Sequence, residues 1–272
     1  TQRAWPSLLA GLTELGLGVS RGTMGRLLFV ASQLPWLAVP RKHTPARPCP
    51  RLALSVRLYL GAAQVRAMDS RVPEFLECLL RGLLAARKLG PSPELASFYC
   101  FTSLFLATAN LGGLSRKLSA MAAAVGEQLE DPAVRAQAEL YQGLSARIND
   151  HEARSAQRVE ECLKQRGGWL STLDYLIGVQ DLTHNFHFRG QLERALVWAE
   201  KGATKLRSGE LPMIVSCSLN AVYSAVARHA DARRSGAGAA GRRPAKPALY
   251  PGSARPHPDP AGRGAGSGRA HH

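Results

Sequence analysis

The sequence predicts an all-α protein in which about four helix pairs stack on one another and a disordered C-terminal tail follows. Three observations support this prediction. Leu and Ala are the commonest apolar residues, whereas aromatic residues make up only 6% of the 272 residues, and this composition favours packed helices over a β-sandwich. Apolar residues recur every three to four positions, as on one face of a helix. Helix-ending and helix-starting signals recur about every 40 residues.

Residues 1–50 are predicted to form an irregular helical segment that is both basic and apolar. The most apolar run, residues 27–39, has 13 residues. Crossing a bilayer takes about 20 apolar residues, so no transmembrane segment is predicted. The chain begins without a Met, which indicates a fragment of a longer protein.

Two interpretations of residues 25–39 stay open. Arg21, Arg26 and Arg41 flank a stretch rich in Leu, Phe and Trp, which is typical of an amphipathic helix at a membrane surface. The interpretation that we favour is a segment covering the open end of the helical stack, because Pro35 interrupts the stretch.

Nine helices are predicted to follow this segment. They cover residues 51–69, 72–89, 93–111, 114–129, 132–148, 151–165, 169–186, 191–206 and 211–229. The dipeptides Gly90-Pro91 and Gly112-Gly113 end helices, because Gly adopts the C-terminal cap conformation and Pro cannot continue a helix. Ser92-Pro93 and Asp131-Pro132 start helices, with the polar residue as N-cap and Pro at the first helical position.

Helix starts of the same kind fall near residues 92, 131, 169 and 210, about 40 residues apart. Such spacing is typical of stacked helix–turn–helix repeats, in which each unit buries its apolar face only against its neighbours. We therefore expect a repeat domain over residues 51–229.

Residues 230–272 differ in composition from the rest of the chain. Gly and Pro fill 14 of the 43 positions, and Leu249 is the only large aliphatic residue. A segment with so little apolar surface cannot offset the entropy cost of folding, so we expect disorder. The abrupt change after His229 is also typical of a frameshifted read-through of GC-rich DNA, and this alternative stays open.

The positive charge lies mainly in the flanks of the chain. The formal net charge is +15, with 28 Arg and 7 Lys, but residues 51–229 contribute only +4 of it. A protein that binds nucleic acid usually concentrates charge on a folded face, so nucleic-acid binding is not expected.

The five cysteines are far apart and form no CxxC pair or Cys/His cluster. An odd, scattered set argues against a disulfide framework. We expect buried, reduced thiols and a cytoplasmic location.

No catalytic residue and no cofactor are predicted. The phosphate-binding motif GxxxxGK[ST] is absent. Ser20 lies in a formal GxSxG motif, but that motif requires an α/β sheet, so we interpret it as a glycine-rich turn. Glu160 and Glu161 are neighbours on a helix and point about 100° apart, which suits a solvated, ion-paired face better than acid–base catalysis.

No metal site is predicted either. His184 and His187 are three residues apart on one helix, with Asp181 near them, and these residue types do bind zinc. Because no fourth ligand is evident, we interpret the pair as solvated histidines, or as caps of backbone carbonyls near the end of the helix.

Most tryptophans and tyrosines lie at helix starts or on apolar stripes and are expected to pack between helices. Tyr99, Tyr141 and Tyr175 lie in the first helices of successive pairs. In stacked repeats these helices line the inner surface, so the three tyrosines are the candidate residues for contact with a protein partner.

One segment resembles the second half of a tetratricopeptide repeat, in which Gly ends one helix and small residues let the next helix pack closely. The residues that carry the resemblance are Leu182, Phe186, Gly190, Leu192, Ala195, Leu196 and Ala199. The later proline of that repeat is absent, Gly202 replaces its usual Ala, and the spacing is nearer 40 than 34 residues.

The run LLRGLLAARKLGPSPELA at residues 79–96 resembles a segment of large bacterial signalling proteins in which a NACHT/AAA-type ATPase precedes a tetratricopeptide-like region. These proteins are often joined to a class III adenylate or guanylate cyclase or to a serine/threonine kinase. The resemblance implies a non-catalytic regulatory repeat region that binds a protein partner or a neighbouring ATPase or effector domain, with no small-molecule substrate. The alternatives are a standalone adaptor of the same type and, less favoured, an Arg-rich helical protein that binds nucleic acid.

Overall fold

The computed structural model describes residues 4–20, 22–37, 49–150, 153–207 and 226–228. Within these residues the protein is all-helical and contains no strand. A short helical piece at residues 226–228 follows ten longer helices. Their bounds are α1 Ala4–Glu14, α2 Thr23–Leu37, α3 Pro50–Met68, α4 Val72–Leu89, α5 Pro93–Thr108, α6 Gly112–Leu129, α7 Pro132–Asp150, α8 Ala153–Arg166, α9 Thr172–Phe188 and α10 Leu192–Arg207. None of these helices is long and apolar enough to cross a membrane.

The helices from α3 to α10 associate as successive pairs: α3 with α4, α5 with α6, α7 with α8, and α9 with α10. The first helix of each pair contacts the first helix of the next pair. The second helix of each pair also contacts the first helix of the pair that follows. At the N-terminal end, α1 packs on α3 and α2 packs on α4, so the first pair is covered by the segment that precedes it.

The predicted helix starts are confirmed by their caps. The Ser92 hydroxyl accepts a hydrogen bond from the Leu95 amide at 3.2 Å. The Asp131 carboxylate accepts one from the Ala133 amide at 2.8 Å. Ser171 caps α9 in the same way, which places the start of that helix three residues later than the sequence predicts. In each case a side-chain oxygen satisfies an amide that has no partner within the helix.

Three of the turns that connect the two helices of a pair share one backbone geometry, which the sequence did not predict. The residue after the C-cap has a positive φ in each of them: Ser70 at 56°, Asn110 at 61° and Gly190 at 71°. The next amide then bonds back across the last helical turn, as in Arg71 to Arg66, Leu111 to Leu106 and Gln191 to Phe186. This is the Schellman motif, and it usually takes Gly. Because Asn110 takes this role, α5 ends earlier than the predicted Gly112-Gly113 break, and α6 begins at Gly112.

The core runs through all four pairs as one cluster of buried residues dominated by Leu, Ala, Val and aromatic side chains. Gly82 of α4 shows how closely the helices approach. A Cβ atom at this position would lie 2.1 Å from the Phe98 ring of α5 and 2.9 Å from the Tyr59 Cβ of α3. The absence of a side chain therefore makes room for the Phe98 ring between two helix pairs.

Several predictions for single residues are wrong. Pro35 does not interrupt the N-terminal stretch, because it lies in the last turn of α2. Trp169 is 58% exposed rather than packed between helices. Cys49 is exposed, whereas the expected buried, free thiols are found at Cys78, Cys100 and Cys162. Burial raises the pKa of Cys78 and of Cys162 to about 12, so both thiols stay protonated.

Some predictions lie outside the described residues. They concern most of the helix at residues 211–229, the tail at residues 230–272, the Trp36 side chain, Cys217 and Tyr223.

Candidate functional site

An apolar cavity of about 350 Å³ opens on the face formed by the first helices of the pairs. It is lined by Ala63, Gln64, Ala67, Phe75, Phe101, Leu104, Phe105, Thr108, Tyr141, Leu173 and Ile177. These residues come from α3, α5, α7 and α9, with Phe75 added by α4. The volume is at the low end of the range of about 300–1,000 Å³ that is typical of ligand pockets.

Aromatic rings form the walls of this cavity. Phe75 and Phe105 meet edge to face, with ring centroids 6.1 Å apart. Phe101 and Tyr141 also meet edge to face at 5.3 Å. This arrangement is favourable for aromatic pairs and holds the rings in place. The cavity is therefore a preformed site, and only Gln64, Thr108 and the Tyr141 hydroxyl bring polar side-chain atoms to its lining.

A chain of hydrogen bonds beside the cavity joins three successive first helices. The Ser97 hydroxyl donates to the Gln137 side-chain oxygen at 2.8 Å. The Gln137 amide nitrogen donates to the Asp174 carboxylate at 3.1 Å. The Tyr141 hydroxyl donates to the same carboxylate at 3.0 Å. These bonds fix the relative position of α5, α7 and α9, and they satisfy the buried Asp174 and Tyr141.

The pKa of Tyr141 is raised well above its usual value. Burial is the main cause, and the negative charge on Asp174 acts in the same direction. Tyr141 therefore stays protonated and acts as a hydrogen-bond donor within the fold.

A second polar group lies further along α7 and α9. Arg147 of α7 forms an ion pair with Asp181 of α9, and His184 lies one turn after Asp181. Burial raises the pKa of Asp181, although the Arg147 charge opposes this effect. Burial also lowers the pKa of His184, and Arg147 acts in the same direction while Asp181 opposes. The sequence leaves two interpretations for His184, a solvated side chain or a cap of backbone carbonyls. Its side chain is half-buried, so the first interpretation is wrong.

The structure places the three candidate tyrosines differently. Tyr99 is fully buried, with the Arg87 guanidinium 5.6 Å from its ring centroid, so its side chain offers no exposed surface for the predicted contact with a partner. Tyr141 is also buried, and it forms the floor of the cavity rather than an exposed contact. Tyr175 is half-buried and faces α10, where the Lys205 ammonium lies 5.8 Å from its ring centroid. The three side chains therefore do not form one contact surface.

Ser20 forms hydrogen bonds with Glu77 of α4. Its hydroxyl and its amide both donate to the Glu77 carboxylate of α4, at 2.7 and 2.8 Å. A nucleophilic serine instead needs a base such as His to take its proton. Ser20 therefore connects the segment before α2 to α4.

The sequence predicts that Glu160 lies on a solvated, ion-paired face; its ion pairs are confirmed, but the residue is buried rather than solvated. It is buried between α8 and α10, where it pairs with Arg194 and Lys164 and accepts a bond from the Trp198 ring nitrogen. Burial alone would raise the pKa of Glu160, but its bond with Lys164 and the Arg194 charge lower it overall. Among the residues that the structure describes, no group of three His, Cys, Asp or Glu side chains could hold a metal ion.

Sequence reasoning missed the cavity, although α5 carries a signal for it. One face of α5 is exposed or half-buried and carries Phe101, Leu104, Phe105 and Thr108. The other face is buried and carries Leu95, Phe98 and Leu106. A helix that is apolar on every side is either enclosed or offers an apolar surface to a ligand. Helix periodicity cannot decide which, because it does not show what packs on the second face.

Comparison with protein-family models gives no match. No curated protein and no solved structure matches the chain.

Proposed function

We propose that this protein is a tetratricopeptide-like α-solenoid that binds a segment of a protein partner in its apolar cavity, without catalysing a reaction. The observation that carries the proposal is the cavity itself. It is preformed, it is lined by the first helix of every pair, and its walls are aromatic and aliphatic. A site of this kind binds a large apolar side chain, which in protein interfaces often supplies most of the binding energy.

The contacts between helices support the solenoid arrangement. Hydrogen bonds and ion pairs connect positions that are about one repeat apart in the sequence. Such pairs are Ser97 with Gln137, Gln137 with Asp174, Ser115 with Asn149, Arg147 with Asp181 and Glu160 with Arg194. In such an array each pair contacts only its neighbours, so the disposition of the first helices follows from the pair-to-pair contacts.

The arginines of the repeat region support binding of protein rather than nucleic acid. Six arginines of this region form ion pairs with acids of the same chain, and so does Arg26 of α2; the six are Arg57, Arg66, Arg81, Arg147, Arg166 and Arg194. Their charge is therefore partly neutralised, whereas nucleic-acid binding depends on charge that is available to phosphates. We propose that the partner is a neighbouring ATPase or effector domain of a cytoplasmic signalling protein, with a standalone adaptor as the alternative.

A random peptide library selected on the immobilised chain tests this function. We expect enriched peptides to carry at least one Phe, Trp, Leu or Met. Ala67 is exposed and lines the cavity, so Ala67→Glu places a carboxylate at its mouth. Because an unpaired charge in an apolar site is costly, we expect binding to weaken by about tenfold or more.

Ala120→Glu is the matched control, because Ala120 is an exposed alanine on α6, outside the cavity. It should leave peptide binding unchanged. The proposal is overturned if no peptide is enriched, or if the enriched peptides bind the Ala67→Glu chain as well as the wild type.

A further inference from the structure

The lining of the apolar cavity contains no charged side chain. Eight of the eleven lining residues are Ala, Leu, Ile or Phe, and the other three are Gln64, Thr108 and Tyr141. An unpaired charge in such surroundings is costly. The partner side chain that enters the cavity is therefore uncharged, and the three polar residues determine which polar atoms it can carry.

Two of the three polar side chains already use their hydrogen within the fold. The Thr108 hydroxyl donates to the Phe105 carbonyl oxygen at 2.7 Å. The Tyr141 hydroxyl donates to the Asp174 carboxylate at 3.0 Å. A hydroxyl has a single hydrogen, so neither residue has a donor left for a ligand.

Gln64 of α3 differs from these two residues. In the part of the chain that the structure describes, its side-chain amide has no hydrogen-bond partner. The amide offers one carbonyl oxygen as acceptor and two N–H donors. An occupant made only of carbon would cover this amide without replacing its bonds to water, and that loss lowers affinity. An occupant with a matching polar atom avoids the loss.

Gln64 lies at an intermediate depth in the cavity. It is half-buried and precedes the exposed Ala67 by one helical turn, whereas Tyr141 at the floor is almost completely buried. The free amide is therefore at the side of the cavity, between its mouth and its floor. A side chain that enters from the mouth meets this amide along its flank and not at its tip.

The walls of the cavity suit an aromatic occupant. The pairs Phe75–Phe105 and Phe101–Tyr141 already meet edge to face, at 6.1 and 5.3 Å. A further ring can continue this arrangement, which is favourable for aromatic side chains. The volume of about 350 Å³ is at the low end for ligand pockets and suits one large side chain.

Among the aromatic side chains, Trp matches the position of Gln64. Phe has no polar atom to offer to the amide. The Tyr hydroxyl is at the tip of its ring, so it would point to the floor, where the Tyr141 hydroxyl is bound to Asp174. The Trp N–H is on the flank of the indole ring and requires only one acceptor.

We propose that Gln64 determines the specificity of the cavity and that the partner inserts a Trp side chain, whose indole N–H donates to the Gln64 carbonyl oxygen. This inference rests on the proposed binding function of the cavity and names the side chain that enters it. A buried Trp N–H usually has a hydrogen-bond partner, and Trp is enriched among the residues that dominate the energy of protein interfaces.

Indole and benzothiophene are the probes that test the inference on the full chain. They are fused rings of similar shape, but a sulfur atom replaces the N–H in benzothiophene. Isothermal titration calorimetry gives the Kd of each probe for the wild type and for Gln64→Met, which keeps the side-chain length and removes the amide. Comparing the two Kd ratios cancels the difference in hydrophobicity between the probes. We expect Gln64→Met to shift the ratio about tenfold against indole.

Matched controls show whether the effect belongs to the cavity. Gln128 is an exposed glutamine on α6, outside the cavity, so Gln128→Met should leave the ratio unchanged. Ala67→Glu, at the mouth, should weaken the binding of both probes. Circular dichroism verifies that each variant folds, and Gln64→Leu replaces Gln64→Met if that variant does not fold.

Peptide selection gives a second measurement. A random library selected on the wild type should enrich Trp over Phe and Tyr, and this preference should disappear on the Gln64→Met chain. Enrichment of Tyr or Phe over Trp on the wild type would overturn the choice of Trp.

The inference is also overturned if indole does not bind, if its binding is insensitive to Ala67→Glu, or if Gln64→Met leaves the Kd ratio unchanged. These failures are distinguishable from failure of the proposed function. If the ratio is unchanged but peptide binding remains sensitive to Ala67→Glu, the cavity keeps its role and only the part assigned to Gln64 is wrong. If neither the probes nor any library peptide binds, the proposed function fails as well.

Discussion

The interface between α2 and α4 differs from the interfaces between successive helix pairs. Between pairs, buried apolar side chains interlock. A Cβ atom on Gly178 of α9, for example, would lie 2.9 Å from Leu140 of α7. In contrast, none of the α2 side chains that the structure describes is fully buried, and the helix is attached through Arg26, Phe29, Val30 and the nearby Ser20. The interfaces between pairs are extensions of the core, whereas the α2 interface combines ion pairs and hydrogen bonds with the partly buried Phe29 and Val30.

This difference shows how stability is distributed in the molecule. When a buried apolar side chain between two helices is shortened, the free energy of unfolding falls with the volume removed. This loss affects the whole cooperatively folding unit. A less buried interface at the end of the array, such as that of α2, can open locally while the other helices stay folded. The four predictions below test this contrast, beginning with the largest effect.

Leu140→Ala should lower the free energy of unfolding by about 2–5 kcal/mol, because it leaves a cavity between α7 and α9. Leu28→Ala, in the exposed face of α2, should change it by less than about 0.5 kcal/mol. Urea denaturation followed by circular dichroism measures both values. Similar losses in the two variants would show that α2 belongs to the cooperative core.

Glu77→Gln should release α2 from α4. Glu77 is fully buried and accepts bonds from Ser20 and Arg81, and bonds to a charged group contribute about 1.5–3 kcal/mol. Hydrogen exchange should become faster at α2 amides, whereas the amides of α7 and α9 should keep their protection.

The control for this change is Glu94→Gln. Glu94 pairs with Arg57, whose side chain is 72% exposed, so this ion pair should contribute less than about 1 kcal/mol. Unchanged exchange at α2 in the Glu77→Gln variant would show that apolar contacts hold the helix instead.

Asp131→Ala should lower the free energy of unfolding by about 1 kcal/mol, because it removes the side-chain cap of α7. Asp131→Asn keeps an oxygen in the same place and should cost little. Thermal melting of the two variants compares them directly. Equal losses would mean that the carboxylate charge at the helix N-terminus matters more than the capping bond.

Lowering the pH should destabilise the interface between α7 and α9 by protonating His184. The pKa of His184 in the folded protein lies below its usual value of about 6.5, because of burial and of Arg147, whereas the unfolded chain has the usual value. The unfolded state therefore binds more protons as the pH falls through about 6.5, and stability falls with it until the lower pKa of the folded state is passed. Asp181, which faces His184, limits the size of the effect.

Melting temperatures of the wild type and of His184→Gln across this pH range test the effect. The wild type should lose more stability than the variant as the pH falls. Parallel curves for the two proteins would remove His184 as the cause.

Much of the fold could be predicted from local patterns. Helix α4 has the predicted bounds, residues 72–89, because Pro73 and Gly90 define its two ends. The turns at Ser70 and Asn110 were harder to predict, since residues other than Gly rarely adopt a positive φ. The burial of Tyr99 agrees with the general expectation that tyrosines pack between helices, but the sequence did not show which of the three candidate tyrosines would be buried.

The candidate site could be predicted only in part. The sequence predicts that the first helices line a surface for a partner, and the apolar cavity lies on those helices, but partner binding there stays a prediction. Of the lining residues it named only Tyr141. It missed residues such as Phe75, Phe101 and Leu173, because they come from three helices whose relative rotation no local pattern records.

The helical class, most helix boundaries and the pairing of helices follow from the sequence, because caps, Gly and Pro act over a few residues and recur with each repeat. The tertiary structure decided where the apolar cavity opens and how α2 is attached. Both depend on side chains that are distant in sequence, such as Ser20 and Glu77 or Phe101 and Tyr141. Local pattern fixes the backbone of each helix, but the face that stays uncovered is determined only when all the helices have packed.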